Sequence, residues 1–232
     1  DKLGYIWFGT RNGLNKFNGN SFEVYWNHAD NPHSISSNII NCMAEDAEGN
    51  LWVGTENGLN RLDKNKNEFK RYHINQQENK DKNKITSLCL DQQGTLWIGA
   101  ASEGLFAYTP QGDSLKNIST KELKGNWVND IIERDHKLYN KGLLIYDLQQ
   151  QAVVRSFQQN SESLPIPSNR IRKVHIDRKG NIWLGNDTHG VYVIKHDPAE
   201  VVCYNTRNGL SNNNVRCINE SPSGEIWIGT FD

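Results

Sequence analysis

Arginine, tryptophan, histidine and carboxylate side chains recur in the loops of this sequence, and together they could bind a sugar. An aromatic platform suits a sugar ring, and a planar guanidinium can hold a carboxylate or a sulfate through two parallel hydrogen bonds. The candidate ligand-binding residues lie in short turns or near the edges of longer connections, and they are Arg11, Trp26, His28, Glu56, Trp127, Arg170, Asp187, His189 and Arg207. Ordinary polar loops would have a similar composition, so that alternative stays open.

The sequence shows no arrangement typical of catalysis or of a metal site. Its seven histidines lack metal-ligand spacing, and it contains neither a nucleophile elbow nor a phosphate-binding loop. Asp63-x-Asn65-x-Asn67 resembles the start of a calcium loop, but Glu68 stands where glycine is required. We therefore predict no catalytic residue, no metal and no cofactor. Carboxylates in different loops could still meet across a cleft, so a carbohydrate-active enzyme remains an alternative.

A repeated aromatic segment is the frame that must position these loops. Leu51-Trp52-Val53-Gly54-Thr55 recurs in similar form along the chain, and its tryptophans are 45, 45, 86 and 44 residues apart. These anchor residues are Trp7, Trp52, Trp97, Trp183 and Trp227. Tyr139 falls inside the long gap and marks one further repeat. A period of about 40–45 residues built from short strands is typical of propeller blades.

One repeat predicts four short antiparallel strands, which is the composition of a blade. In the clearest repeat these are Ile39–Glu45, Leu51–Thr55, Leu59–Asp63 and Glu68–His73. Tight turns separate them, because Asp46 can bond its own backbone and Gly49 can take a positive φ. By the same pattern, later first strands should begin at Ile85, Val128, Ile171 and Val215.

The predicted fold is all-β, a β-propeller of four-stranded antiparallel blades that forms an open arc or part of a seven-bladed propeller. The predicted blades are 1–33 (partial), 34–80, 81–124, 125–165, 166–209 and 210–232 (partial). Because the sequence begins and ends within a repeat, we expect it to be a fragment of a longer protein.

Each anchor tryptophan should be largely buried between blades, because a blade is too thin to bury its own faces. A tryptophan that buries about 150–250 Å² gains roughly 4–6 kcal/mol, which is less than the cost of ordering ten residues. Blades should therefore be stable only beside other blades. The glycine two residues after each tryptophan should let adjacent backbone approach closely.

The fourth repeat is shorter than the others. Gly142 lies only three positions after Tyr139, whereas the turn glycine lies six or seven positions after the anchor in the other repeats. Either the repeat carries a deletion or a loop is missing from the sequence. We favour the missing loop, because the loss of a strand would leave a ladder unpaired.

Composition excludes some partners. The formal net charge is −1 with both signs interspersed, so we expect no nucleic acid and no membrane surface to be bound by this segment. No apolar run is long enough to span a membrane. The four cysteines lack the spacing of a disulfide framework or a metal site, and we expect them to be small buried residues in strands.

The repeat resembles a known family. Leu-Trp-Val-Gly-Thr-x-x-Gly-Leu, preceded by Ser37-Asn38-x-Ile40 and Asp46-x-x-Gly49, is similar to the two-component-regulator propeller repeat. The resemblance covers essentially the whole chain. It implies the periplasmic sensor region of a hybrid two-component system, as in gut Bacteroidetes. Such a sensor has two seven-bladed propellers, a small β-sandwich, a transmembrane helix and a cytoplasmic histidine kinase with receiver and DNA-binding domains.

What this resemblance implies about function is an expectation. Such sensors typically recognise oligosaccharides released from glycans and regulate the genes that use them. The implied partners are an oligosaccharide, the companion propeller of the same chain and a second copy of the sensor, and the implied location is the periplasmic part of an inner-membrane protein. The alternatives are a non-catalytic interaction scaffold and, less favoured, a carbohydrate-active propeller enzyme.

Overall fold

Short antiparallel strands are the regular secondary structure of the described chain. The computed structural model describes residues 1–74, 83–109, 112–118, 128–135, 137–140, 144–156, 170–196 and 200–231. These residues contain 21 strands and no helix, so the described part of the chain offers no helix that could cross a membrane. The chain divides into two compact units: unit 1 is Asp1–Val128 and unit 2 is Asn129–Asp232.

Unit 1 contains three sheets, in each of which consecutive strands pair in antiparallel order. The first sheet is β1 (Ile6–Gly9), β2 (Leu14–Phe17) and β3 (Phe22–Tyr25). The second is β4 (Ile40–Glu45), β5 (Leu51–Thr55), β6 (Gly58–Asp63) and β7 (Glu68–Tyr72). The third is β8 (Ile85–Leu90), β9 (Leu96–Ala100), β10 (Gly104–Thr109) and β11 (Ser114–Asn117).

Unit 2 also contains three sheets of consecutive antiparallel strands. The fourth sheet is β12 (Ile132–Arg134), β13 (Lys137–Asn140), β14 (Leu144–Asp147) and β15 (Ala152–Ser156). The fifth is β16 (Ile171–Ile176), β17 (Ile182–Asn186), β18 (Val191–Ile194) and β19 (Val201–Tyr204). In the sixth, β20 (Val215–Glu220) pairs with β21 (Ile226–Thr230).

Neighbouring sheets within a unit bury their apolar faces against each other. The first strands of adjoining sheets, β4 and β8 in unit 1 and β16 and β20 in unit 2, are in contact. Trp52 is 1% exposed, and its ring centroid lies 5.5 Å from that of Tyr72 and 4.5 Å from that of Tyr108 in the next sheet. The core is thus a series of apolar layers between sheets, as expected for blades.

The expected burial of the anchor tryptophans is confirmed for Trp52 and Trp97, which are 1% and 7% exposed. Trp7 and Trp183 are half-buried. The expectation is wrong for Trp227, which is 65% exposed. Trp52 is covered by the sheet that follows it, whereas no further sheet follows β20 and β21 in the described part of unit 2.

A carboxylate six residues earlier holds four of the anchor tryptophans. Each indole N–H donates to an aspartate at 2.7–2.8 Å, and the pairs are Trp7–Asp1, Trp52–Asp46, Trp97–Asp91 and Trp183–Asp177. Burial raises the pKa of Asp177, but hydrogen bonds from Trp183 and Asn181 outweigh it and leave that pKa below its ordinary value. In the last repeat Ser221 takes the place of the aspartate.

The glycine after each tryptophan permits close approach, but mainly of side chains. A Cβ built on Gly54 would lie 2.6 Å from Cγ2 of Ile85, and one on Gly185 would lie 2.7 Å from Cγ1 of Val215. Both neighbours begin the first strand of the following sheet. These glycines therefore set how tightly successive sheets can stack.

The fourth sheet differs from the sequence prediction. The predicted first strand at Val128 is wrong, since β12 begins at Ile132. Val128 is buried in unit 1 instead, where its main-chain nitrogen lies 3.4 Å from the carbonyl oxygen of Ala100. β13 and β14 are fully paired, with Asn140 opposite Leu144. The short connection therefore leaves no ladder unpaired, which removes our reason for expecting a missing loop. Its residues 141–143 lie outside the described residues.

The cysteines lie in strands, as predicted. None of the four, all of which lie within the described residues, forms a disulfide. Cys42, Cys89 and Cys203 are half-buried, but the expectation of burial is wrong for Cys217, which is exposed in the two-stranded sixth sheet.

Candidate functional site

Three of the turns that join second and third strands, those of the first, second and fifth sheets, share one hydrogen-bond frame. Thr10 and Thr55 each donate their hydroxyl to the carbonyl of the glycine that ends the turn, at 2.8 and 2.9 Å. Asn186 takes this place in the fifth sheet, where its Oδ1 accepts the N–H of Thr188 at 2.9 Å. The side chain of the residue after each of these has no part in the frame, so its chemistry is free to vary.

Each of these turns is also tied to the following sheet. The N–H of the turn glycine donates to an asparagine carbonyl just before the next first strand, at 2.8–2.9 Å, in Gly13–Asn38, Gly58–Asn83 and Gly190–Asn213. The turns are therefore fixed platforms at one end of the sheets, which we call the loop end of each unit. A rigid scaffold of this kind suits residues used for binding.

At the loop end of unit 1 the frame carries Arg11 and Glu56. Arg11 is exposed after Thr10. Glu56 follows Thr55, and its Oε1 forms an ion pair with Nζ of Lys84 at 2.8 Å. The same place in two neighbouring repeats thus holds a cation in one and an ion pair to the next sheet in the other.

Trp26 and His28 lie near the turn of Arg11. Trp26 is 45% exposed, and a Cβ built on Gly13 would lie 3.2 Å from its indole ring. His28 is exposed. Its main-chain N–H donates to Oγ of Ser34 at 2.9 Å, and this bond closes the loop that contains His28. The structure therefore brings the aromatic platform of Trp26 beside the turn that presents Arg11.

At the loop end of unit 2 the frame carries Asp187, which lies between two arginines. Its Oδ2 is 3.1 Å from Nε of Arg170 and 3.8 Å from a terminal nitrogen of Arg172. The Asp187 side chain is 10% exposed, whereas Arg170 and Arg172 are 71% and 45% exposed. Its second oxygen, Oδ1, is buried and has no hydrogen-bond partner. The predicted residues Arg170 and Asp187 are thus in contact.

Two further predicted residues of unit 2 are exposed. His189 is exposed on the same turn as Asp187, and its Nδ1 is 2.7 Å from the hydroxyl oxygen of Thr188. Arg207 is exposed after β19, where its main-chain N–H donates to Oδ1 of Asn205 at 2.9 Å. Trp127 lies outside the described residues.

Sequence reasoning missed Arg172 and Arg216, and both occupy a β-bulge. The pairing of first and second strands skips one residue near the start of β4, β8, β16 and β20. The skipped residues are Asn41, Thr86, Arg172 and Arg216. A bulge bends the strand and re-aims the side chain of the extra residue, and bulges are common next to functional sites.

In unit 1 the bulge residue bonds the main chain of the segment that follows its own sheet. Asn41 donates its side-chain N–H to the carbonyl of Ile85 at 2.9 Å, and the Thr86 hydroxyl donates to the carbonyl of Val128. In unit 2, Arg172 and Arg216 replace these small polar residues. Both are exposed, and the guanidinium of Arg216 lies 4.8 Å from the ring centroid of the 62% exposed Phe231. The available signal was this change from Asn and Thr to Arg at one repeat position.

Other cations of unit 2 have a structural role. A groove of about 570 Å³ lies at the opposite end of its strands, where Arg134, Lys137, Arg178 and Lys179 line it. The two arginines donate to main-chain carbonyls of the following sheet at 2.5–3.3 Å. Because these arginines join sheets, we place the candidate site at the loop end.

Metal chemistry has no visible support in the described ranges. Within them, no three His, Cys, Asp or Glu side chains are grouped so that they could hold a metal ion. The absence of a metal and of a cofactor stays a prediction.

Comparison with known proteins identifies the repeat. Residues 34–57, 80–102, 165–188 and 209–232 match the family model described as two component regulator propeller. Each matched segment contains one anchor tryptophan. A 36-residue segment is 53% identical to a protein named histidine kinase P4 from Formosa agariphila, and it covers 16% of this chain and 3% of that protein.

Solved structures share the fold. An extracellular domain assigned to a hybrid two-component system of B. thetaiotaomicron is 23% identical with a TM-score of 0.65, and the match covers 100% of this chain and 38% of that one. Another from this organism, assigned to a one-component system, is 21% identical with a TM-score of 0.76 over 99% of this chain and 32% of that one.

This chain thus spans between 32% and 38% of the two solved domains that it resembles. The sheets and their repeat agree with both comparisons. Four segments of the chain therefore match the two-component regulator propeller repeat, and the sheets are blades of a β-propeller.

Proposed function

We propose that this chain is the ligand-sensing part of a two-component sensor and that it binds an oligosaccharide released from a glycan. One observation carries the binding proposal: the turn frame repeats, while the residue that it presents changes from Arg11 to Glu56 to Asp187. A purely structural role would favour one residue at this place. Varied chemistry on a repeated, rigid platform is what recognition requires.

A saccharide fits the residues at the loop ends. Trp26 offers an exposed aromatic surface beside the turn of Arg11 in unit 1. Arg170, Asp187 and His189 offer donors and an acceptor within one small region of unit 2. Saccharides present many hydroxyl groups around a ring with apolar faces, so they need both kinds of surface.

The sensing role comes from the relatives. One is named a histidine kinase, and the solved neighbours are extracellular domains assigned to two-component or one-component systems. By analogy, this chain lies outside the cytoplasm, in the periplasmic part of an inner-membrane sensor histidine kinase. Binding would shift a two-state arrangement of the sensor, with a companion propeller and a second copy as partners. The output would be transcription of carbohydrate-utilisation genes.

A second role, as an interaction scaffold, is supported by the exposed apolar residues of the first and sixth sheets. Ile6, Phe8 and Phe22 are 53%, 43% and 58% exposed, and Trp227 is 65% exposed. Such residues suit contact with a further blade or a companion propeller. This role is compatible with ligand sensing, because a sensor must also transmit its signal.

Calorimetry of the full chain against oligosaccharides from several polysaccharide classes tests the proposal. We expect one class to bind, and we expect Trp26→Ala or His189→Ala to weaken that binding and so to assign it to unit 1 or unit 2. Glu48→Ala, in an exposed turn at the other end of the second sheet, is the control. Failure of every class to bind would favour the scaffold alone, and release of reducing ends would favour an enzyme.

A further inference from the structure

The residue at the β-bulge can be compared between repeats, and the comparison indicates which side chains the fold itself requires there. In unit 1 this position needs only a short polar side chain: Asn41 bonds Ile85 of the next sheet, and Thr86 bonds the carbonyl of Val128 in the connection that follows the third sheet. Asn129, at the corresponding place in the fourth repeat, does the same by donating to the carbonyl of Ile171 at 2.9 Å. A long cationic side chain is therefore not what the junction between sheets demands.

Arg172 and Arg216 depart from this pattern in two adjacent repeats of unit 2. Their strands, β16 and β20, are in contact, and both side chains are exposed. Exposing two like charges at equivalent places on neighbouring strands gives no stability, because like charges repel. The departure therefore points to a role outside packing.

The surroundings leave this place positively charged. Asp187 is the carboxylate beside Arg170 and Arg172, at 3.1 and 3.8 Å, and it offsets one of the charges there. Arg216 adds a third exposed guanidinium group on the neighbouring strand, whereas the ion pairs of the nine-tenths buried Asp187 are with Arg170 and Arg172. An ion pair with one carboxylate orients the guanidinium groups without neutralising them all.

We propose that the loop end of unit 2 recognises an anionic substituent, a carboxylate or a sulfate, on the saccharide, and that Arg172 and Arg216 hold that substituent. The inference rests on the proposed function and specifies its ligand class. Guanidinium groups bind such oxyanions through paired, charge-assisted hydrogen bonds. Phe231, beside Arg216, adds an apolar surface for the sugar ring.

The unpartnered oxygen of Asp187 favours a ligand that carries hydroxyl groups as well as the anionic group. Its buried Oδ1 lacks a hydrogen-bond donor, and an unsatisfied carboxylate oxygen is costly. A hydroxyl group next to the anionic substituent would supply that donor. An inorganic anion could not, so a saccharide acid or sulfate ester satisfies the site more completely.

The test compares matched charged and neutral probes on the full chain by calorimetry. The probes are tetragalacturonate and its fully methyl-esterified form, and a κ-carrageenan tetrasaccharide and its desulfated form. We expect at least one charged probe to bind about tenfold or more tighter than its neutral partner, since charge-assisted bonds contribute at this level. Arg172→Gln and Arg216→Gln should each remove most of that preference and leave binding of neutral probes unchanged.

Lys179→Gln is the matched control, because it removes an exposed cation from the turn at the opposite end of the fifth sheet. Equal binding of charged and neutral probes would overturn the inference and leave the proposed function intact. A loss in Lys179→Gln as large as in Arg172→Gln would also overturn it, since the attraction would then be diffuse. If none of these probes binds while another oligosaccharide class does, the inference fails and the proposed function stands; if no class binds, both fail. Arg172→Lys, which keeps the charge but not the planar fork, should fall between wild type and Arg172→Gln.

Discussion

The anchor tryptophans show what single residues contribute to this fold. Packing buries Trp52, and the carboxylate of Asp46 accepts its indole N–H at 2.7 Å while also accepting the N–H of Asn50 at 2.7 Å. One aspartate thus closes the turn and fixes the tryptophan. The two functions explain why a turn residue and a core residue recur together in the repeat.

Asp46→Ala should lower the free energy of unfolding by about 1–3 kcal/mol, because it leaves the buried indole N–H of Trp52 without an acceptor. Chemical denaturation followed by tryptophan fluorescence measures this. Glu48→Ala, an exposed change in the same turn, should stay within about 0.5 kcal/mol. Equal effects of the two changes would show that the bond contributes nothing.

Gly54→Ala should lower the free energy of unfolding by about 1–3 kcal/mol, because the new methyl group would press on Ile85 of the next sheet and on Cys42. Part of this cost should disappear in the background of Cys42→Ala, where the sulfur is gone. A double-mutant cycle measures the coupling. Strict additivity would contradict the packing that we describe.

At this scale the sequence predicts the tryptophans and glycines but not their partners. Period and residue type mark Trp52 and Gly54 directly. The bond from Asp46 depends on a hairpin that brings residues six apart together, and the repeat alone gives only the turn. Arg170 and Asp187 were both predicted as site residues, whereas their contact needed the register of β16 and β17.

Strands and turns are the scale at which the repeat is most informative. The predicted first strands at Ile85, Ile171 and Val215 are confirmed, since β8, β16 and β20 begin there. The predicted strand start at Val128 is wrong, because a valine among polar residues is compatible both with a strand and with a buried connection. The bulge could not be located from the sequence, because it is defined by which residues pair across the two strands. Arg172 and Arg216 were missed for that reason.

A cross-sheet ion pair in unit 1 predicts a pH effect. Hydrogen bonds from Lys70 and Tyr72 of β7 hold the pKa of Asp113, before β11, at about 2 instead of 3.8. Because the folded-state pKa is lowered, the stabilisation is present above the unfolded-state pKa and is lost as pH falls through the folded one. Asp113→Asn should therefore destabilise the chain near neutral pH, by less than about 1 kcal/mol because the group is half exposed.

Denaturation at a series of pH values measures this difference. It should shrink between about pH 4 and pH 2. A difference between wild type and Asp113→Asn that stays constant as the solution is acidified would contradict the ion pair.

The whole molecule depends on stacking, since each sheet is too thin to bury its own tryptophan. Trp52→Ala should cost about 3–5 kcal/mol or prevent folding, because Trp52 lies between two sheets. Trp227→Ala should cost about 0.5 kcal/mol or less, because that residue is exposed on the sixth sheet. Denaturation of the full chain compares them. Similar costs would mean that Trp227 is covered in solution.

The central claim is that the ligand binds at a loop end, which we infer to be that of unit 2, and hydrogen exchange of the full chain tests it most directly. The chain is saturated with the oligosaccharide that binds most tightly, and amide exchange is compared with the free chain. We predict protection in residues 170–173, 186–190 and 214–216, with no change in the turn at 177–181 at the opposite end of the fifth sheet. Saturating binding that protects other residues and leaves these three segments unchanged would contradict the account.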